Sequence, residues 1–347
     1  MNEPAYRGAI IGLGFIGGAD QVSGDALGQQ VSDLDGTHLA AMQNHPRVNL
    51  VAGSSRDPGR RERFSQRTSA KTYADWREML AGEQLDIVSV ATYAPQHARM
   101  TIACAEAGVR AVLCEKPIAT SLPEAERMLA SCAASGTLLA VNHNRRFHPD
   151  YRRLRDFIAT GELGELTSAS VQWASGRLGN VGTHVFNALC MLTGRQVEAV
   201  SATLDLSGKP DCRGPEFQDP GGYGVLRLHG GLPATFDALD YATVPASITI
   251  NGKDATATIG AGGVTIDHRT GSRDHWPPAE RTESSMDVAL REIVDSLDGK
   301  VAFSDPPENS LHTLETIIAC HASHRRGAAW VELPLQGDDR ELIVHSG

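Results

Sequence analysis

One short stretch constrains the fold more than any other: Gly12-Leu13-Gly14-Phe15-Ile16-Gly17, directly after the apolar run Ala9-Ile10-Ile11. A G-x-G-x-x-G turn between a strand and a helix lets the backbone approach a pyrophosphate, whose charge is favoured at the helix N-terminus. Alone the pattern is as readily a structural turn, so the elements that follow must decide. Residues 19–36 are rich in Gly, Asp, Gln and Ser, and a helical pattern resumes only over 37–46, so the nucleotide helix reads as interrupted by an insertion. That insertion is read equally as a lid, an oligomer arm or a surface loop.

Strand candidates at 48–52, 87–91, 111–114 and 138–141 alternate with helical stretches at 60–67, 96–107 and 122–134, the last opened by a Ser121/Glu124 capping box and closed before Gly136. Strand–helix alternation predicts a doubly wound parallel sheet. From about residue 166 the texture changes to alternating segments (167–173, 197–206, 224–229, 234–240, 247–251, 256–259) separated by Gly and Pro turns, with late helices near 286–297 and 309–324. This predicts a second α/β domain on a largely antiparallel sheet, with domains at 1–145 and 146–347. A length of 347 residues suits two such domains.

Composition narrows the class. The net charge of -10 argues against nucleic acid as a partner, no apolar run is long enough to span a membrane, and the N-terminus lacks a signal-peptide pattern. Cys104, Cys114, Cys132, Cys190, Cys212 and Cys320 show neither C-x-x-C nor zinc spacing; they read as reduced thiols of a cytoplasmic protein that binds no metal. Only five lysines occur, at 71, 116, 209, 253 and 300. Lys116, in Glu115-Lys116-Pro117 after the 111–114 strand, sits where open parallel sheets bind ligands, and it can exchange a proton with a hydroxyl. At the end of the second strand, Ser54, Ser55 and Arg56 stand where an Asp or Glu would receive the ribose 2'-hydroxyl of NAD; small polar residues plus Arg suit the 2'-phosphate of NADP. NADP is therefore favoured over NAD.

Taken with Ala91-Thr92-Tyr93-Ala94-Pro95-Gln96-His97, Asn144-Arg145-Arg146-Phe147-His148-Pro149 and Asn180-x-Gly182-x-His184, these motifs make the sequence resemble the glucose-fructose oxidoreductase, inositol dehydrogenase and MocA family. The resemblance implies a Rossmann domain and a C-terminal α/β domain whose open sheet often forms oligomer contacts, hence a homodimer or homotetramer. It implies NAD(P)-dependent oxidation or reduction of sugars, cyclitols and related polyols. Gly12, Gly14, Phe15, Ile16 and Gly17 would cradle the pyrophosphate; Thr92, Tyr93, Pro95, His97 and Asn144 would lie along the cofactor, with Glu115 and Lys116 near the nicotinamide ribose and substrate. The family's D-x-x-x-H appears here with Asn180 for the acid and His184 retained. Asn has no titratable proton, so proton transfer would fall to His184 or Lys116, with Asn180 orienting the sugar. His143, Arg146, Trp173 and Arg177 are further substrate-pocket candidates, Trp173 as an aromatic face for a sugar ring. Asp219-Pro220-Gly221-Gly222-Tyr223 reads as a pocket edge or a plain hairpin turn. A transient-oxidation lyase or glycosidase with tightly held NAD, and a cofactor-binding sensor, are the competing readings.

Overall fold

The computed structural model describes residues 5–22, 30–207, 217–239 and 245–346. Part of the 19–36 insertion, Lys209, Cys212 and the end of the 234–240 segment lie outside them. The chain divides into two units: residues 1–119, 124–144 and 282–308 form the first, and 120–123, 145–281 and 309–347 the second.

The first unit is built on six strands, β1 (Tyr6–Ile11), β2 (Val48–Ser54), β3 (Lys71–Tyr73), β4 (Ile87–Val90), β5 (Ala111–Cys114) and β6 (Leu138–Val141), in the order β3-β2-β1-β4-β5-β6. Every ladder is parallel. This is the doubly wound order with its switch between β1 and β4, the place where such sheets bind ligands. The central strands are buried throughout, as strands covered on both faces must be. Only β3, a three-residue Lys-Thr-Tyr edge strand, has no counterpart among the predicted strands.

The interruption after the glycine turn is real. Helix α1 (Phe15–Gly18) lasts one turn and is ended by Ala19 in the left-handed region, φ 52°; α2 (His38–Asn44) resumes behind a Thr37 cap. What replaces the missing helical surface is α9 (Ser285–Leu297), which returns to this unit from late in the sequence. Its Met286, Leu290, Ile293 and Val294 join Leu39 and Met42 of α2 and Ile10 and Leu13 in one buried cluster. Asp298, at the C-cap of α9, fixes this return: it accepts from Tyr6 Oη at 2.6 Å and from Arg47 Nη2 at 2.8 Å, and pairs with Lys300. Arg47, Tyr6 and Lys300 hold its carboxyl well below the usual range. Helices α3 (Pro58–Arg67), α4 (Trp76–Gly82), α5 (Ala94–Glu106) and α6 (Leu122–Ser135) complete the crossovers.

The second unit carries a nine-stranded sheet: β7 (Leu166–Gln172), β8 (Val197–Leu204), β9 (Gly222–Leu228), β10 (Leu232–Asp237), β11 (Ser247–Gly252), β12 (Ala255–Gly260), β13 (Gly263–His268), β14 (Arg273–Trp276) and β15 (Val331–Glu332). Their order is β14-β13-β12-β11-β7-β10-β9-β8-β15, antiparallel except for β7 with β10. Burial alternates strictly along β10 and β12, so one face is packed and the other exposed. Helices α7 (Pro149–Ala159), α8 (Thr183–Thr193) and α10 (Pro307–Arg325) belong to this unit, and a chain of edge-to-face rings, Trp173 to Phe186 to Phe236, fills part of its core.

Strand β8 has only the two-residue β15 on its outer side, and α10 supplies the missing acceptors. His312 Nε2 accepts the Val197 amide at 2.9 Å, Ser323 Oγ that of Ala202 at 2.9 Å, and His324 Nδ1 that of Leu204 at 3.1 Å. Burial pushes His312 down to about 4, and burial with the nearby Arg325 does the same to His321. An unfolded histidine, near 6.5, takes up a proton that the folded His312 and His321 refuse, so their contribution is whole above about pH 6.5 and is lost as pH falls towards 4. Thermal melts should therefore show Tm dropping through that window. His312→Gln, which keeps an acceptor without the titration, should flatten the drop; an unchanged slope would show that His312 does not set it.

Candidate active site

The glycine turn is shaped for close approach. Gly12 sits at φ +101°, and a Cβ there would lie 2.2 Å from the Ala91 carbonyl oxygen; a Cβ on Gly17 would lie 2.0 Å from the Gly12 oxygen. Only glycine fits at either place, which ties the helix turn onto β1 and the end of β4. Gly14 provides the N-cap of α1, Phe15 is buried and Ile16 half-buried. Ala91 N–H donates to Ile11 O at 2.8 Å and Gly12 N–H to Ser54 O at 2.9 Å, so the ends of β1, β2 and β4 are locked together beneath the turn.

Around this turn lie the other predicted cofactor residues. Ser54 is buried at the end of β2, Ser55 is half-buried and Arg56 exposed. The next carboxylate, Asp57, is engaged as the cap of α3, accepting from Arg60 N at 2.8 Å. Asp20, at the start of the insertion, is buried and held by two bonds from Arg63, 2.8 and 2.7 Å. Both of these carboxylates are thus already engaged by donors of the protein itself. Thr92 is half-buried, and Tyr93 and Pro95 are exposed at the start of α5, with Tyr93 as its N-cap. His97 is fully buried between two carbonyls, Pro117 O at 2.8 Å from Nδ1 and Thr92 O at 2.9 Å from Nε2. Its ring sits between the Thr92 loop and the Lys116 loop with no face exposed.

Glu115 and Lys116 follow β5. The Lys116–Pro117 peptide is cis and Lys116 is half-buried, whereas Glu115 is 6% exposed. Its carboxylate accepts from His38 Nε2 at 3.0 Å, Asn142 Nδ2 at 2.7 Å and the Lys116 amide at 3.3 Å. Burial works against ionisation, but His38, Lys116 and Asn142 outweigh it and hold the carboxyl at about 2. His38 and Asn142 escape a reading of the sequence by motif; the cue available was a lone histidine just past the insertion. His143 is buried and Asn144 half-buried just beyond β6.

In the second unit, Asn180 lies on a π-helical turn (Leu178–Gly182) and His184 in the first turn of α8, into which it runs; both are half-buried. The approach to it is unusual: Ser175, Gly176 and Arg177 are consecutively left-handed, φ 84°, 57° and 58°. Two of these are not glycine, a conformation costing about 1–3 kcal/mol each that must be imposed by neighbours. Trp173 supplies one constraint, its indole N–H donating to Gly176 O at 2.7 Å. It is 2% exposed with its ring against Phe186, so it supports the turn from within the core and offers no aromatic face to a sugar. Asp219 supplies another, accepting the Gly179 and Asn180 amides at 2.7 Å each, while Pro220 O accepts from Leu178 N at 3.0 Å. A Cβ on Gly221 would lie 2.1 Å from Ala238 O, and one on Gly179 2.6 Å from Ser346 Cβ. The Asp219–Tyr223 cluster is thus the scaffold of the Asn180 turn. Arg146 is fixed to α8, its Nε donating to Asn187 Oδ1 at 2.6 Å, and Asn187 in turn donates to Thr313 Oγ1 at 3.1 Å. Arg177 is half-buried.

Among the described residues no cluster could hold a metal, the cysteines are free thiols, and no helix is long and apolar enough to cross a membrane.

A doubly wound sheet with a glycine turn at its switch point is the arrangement that dinucleotide-binding folds use. Residues 6–143 match the family model described as an oxidoreductase family with an NAD-binding Rossmann fold. Over those residues the chain is similar to the family of glucose-fructose oxidoreductase, inositol dehydrogenase and MocA relatives that its motifs resemble. It is 28% identical to the trans-1,2-dihydrobenzene-1,2-diol dehydrogenase of Mus musculus, over 60% of this chain and 66% of that one. It is 29% identical to the inositol 2-dehydrogenase of Rhodococcus erythropolis, over 46% and 41%. The chain thus spans less than two thirds of these relatives. The WlbA dehydrogenase from Bordetella pertussis, solved with NADH and UDP-GlcNAcA, has the same fold with a TM-score of 0.79 at 21% identity, over 97% of this chain and 100% of that one.

The close approach at the glycine turn yields a direct test. Gly17→Ala drives a Cβ against the Gly12 carbonyl, an overpacking cost of about 1–3 kcal/mol. It should weaken NAD(P)H binding about tenfold or more, read by nicotinamide fluorescence titration; unchanged binding would show that the turn does not hold the cofactor.

Proposed function

We propose that the protein is an NAD(P)-dependent dehydrogenase or reductase acting on a secondary alcohol, or the matching ketone, of a sugar, cyclitol or related polyol. The observation that carries this reading is Lys116, held beside a buried carboxylate at the carboxyl end of β5 in a nucleotide-binding unit of this family. The two relatives named above are called after a ring diol and an inositol, and both compounds present neighbouring hydroxyls on a six-membered ring. Such ring polyols are the substrates favoured here.

The residues present fit a dinucleotide: a glycine turn that tolerates no side chain at Gly12 or Gly17 and that ends against Ala91 and Thr92. When bound, the nicotinamide accepts or supplies the hydride. Gly12, Gly14, Phe15, Ile16 and Gly17 hold the pyrophosphate, with Thr92, Tyr93, Pro95 and Asn144 along the remainder. Ser55 and Arg56 favour a 2'-phosphate, because Asp57 and Asp20 are both already engaged. The preferred cofactor is therefore NADP.

Proton handling falls to two side chains. Lys116 donates a hydrogen bond to the reacting oxygen. His184 takes the hydroxyl proton in oxidation and returns it in reduction, work suited to an imidazole, which can accept a proton and give it back. Asn180 orients the substrate by hydrogen bonds alone. Arg146, anchored by Asn187, serves as a further polar contact to the substrate.

A screen of inositols, ring diols and aldoses with NAD and NADP, followed at 340 nm, should find turnover, faster with NADP. Cofactor binding without turnover on any of them would favour a sensor. On the substrate found, His184→Ala should lower kcat about 100-fold or more; near-wild-type kcat would remove His184 from its role. Ser55→Asp should move the preference from NADP towards NAD, and an unaltered ratio would refute the part given to the β2 end.

A further inference from the structure

His38 and Glu115 form a buried hydrogen-bonded pair that none of the motifs accounts for. His38 is 1% exposed, and both of its ring nitrogens are engaged, Nε2 on Glu115 at 3.0 Å and Nδ1 on Ser89 Oγ at 2.9 Å. A neutral ring protonated on Nε2 donates to the carboxylate and accepts from the Ser89 hydroxyl; an imidazolium donates to both. In either form His38 gives Glu115 a hydrogen bond. The other groups on this carboxylate are Asn142, from the end of β6, and the Lys116 amide; His97 of α5 and the Cys114 thiol also feel its charge. Of these, Asn142 and the amide carry no charge, and burial lowers His97 and raises Cys114, so both stay neutral near pH 7.

The position of His38 is itself fixed from outside the glycine motif. Ser285 N–H at the start of α9 donates to Asp35 at 2.9 Å, and Gly36, at φ +88°, lies where a Cβ would be 2.3 Å from Ser284 Oγ. Thr37 then caps α2 through the Ala40 amide at 3.1 Å, placing His38 at the first helical position.

We propose that His38 is the positioning residue of the lysine site: it fixes the Glu115 carboxylate, and through that charge it sets the pH at which Lys116 gives up its proton. This rests on the role given above to Lys116. A carboxylate that loses this donor stays ionised but is no longer held in one place by the ring. Losing His38 therefore lets the negative charge shift away from the neighbouring ammonium, and Lys116 deprotonates at lower pH.

The proton of Lys116 can be followed without any substrate. Competitive acetic anhydride labelling across pH 7 to 11, with mass spectrometry of the Lys116 peptide, reports its titration midpoint. The midpoint should fall by about one pH unit in His38→Leu relative to wild type. It should be largely restored in His38→Gln, whose amide N–H can still reach the carboxylate. Should His38→Leu fail to fold, Glu115→Gln removes the charge itself in place and should give at least as large a fall. Equal midpoints in wild type and Glu115→Gln, or in wild type and a folded His38→Leu, overturn the proposal. Failure of the polyol screen leaves this titration interpretable, and a normal screen with an unmoved midpoint refutes His38 alone. Where turnover is found, the basic limb of the kcat/KM profile should move with the midpoint, and a purely structural role for His38 would lower Tm without moving either.

Discussion

A carboxylate removed from water must be met by donors, and at Glu115 that requirement organises the nucleotide unit. Its donors come from three separate places: the first turn of α2, the end of β6 and the next residue of its own chain. Each must arrive in register. His38 does so only because α2 begins where Thr37 caps it, and that start is held by Asp35 on an amide 250 residues away in sequence. Helix α9 is thus part of the apparatus that keeps the Glu115-Lys116-Pro117 segment in order, although it contributes no residue to it.

The same arrangement explains how a nucleotide fold survives a break in its first helix. A one-turn α1 buries too little apolar surface to hold the glycine turn by itself. The backbone contact between Gly17 and Gly12 pins the turn directly to the sheet, and α2 with α9 restores the missing apolar cover through Leu39, Met42, Met286 and Leu290. Asp20 and the Ala19 carbonyl, bound by Arg63 and Arg67, anchor the beginning of the insertion to α3. Both ends of residues 19–36 are therefore tied to regular elements.

The parallel strands were legible because buried central strands are short apolar runs, and Ala111–Cys114 and Leu138–Val141 stand out as such. Edge elements were not: β3 is Lys-Thr-Tyr and β14 is Arg-Asp-His-Trp, and both lack the pattern that burial imposes. The allegiance of α9 was illegible for a different reason. Its apolar face would suit either sheet, and the choice is made by Asp298 with Tyr6 and Arg47, partners remote in sequence. Trp173 misled because an aromatic near polar residues looks the same in sequence whether its indole N–H meets a ligand or the Gly176 carbonyl. The glycine turn and Glu115-Lys116-Pro117 were readable because their chemistry is local, whereas His38 acquires its meaning only from a carboxylate 77 residues further on.

The turn that carries Asn180 shows how a lost acid is left uncompensated. Asp219 is placed against that turn by two bonds, but they run from the Gly179 and Asn180 backbone amides. A carboxylate bound by backbone N–H groups is stabilised in its ionised form and made a weaker base. Asp219 is therefore suited to holding the left-handed run of Ser175 to Arg177 in its strained conformation, and poorly suited to taking a proton from a hydroxyl. With Asn180 unable to titrate and Asp219 committed to the backbone, the proposed reading leaves proton transfer to His184, in the first turn of α8, and to Lys116. The scaffold that Asp219 and Trp173 build around the turn keeps the rigidity that a positioned side chain requires.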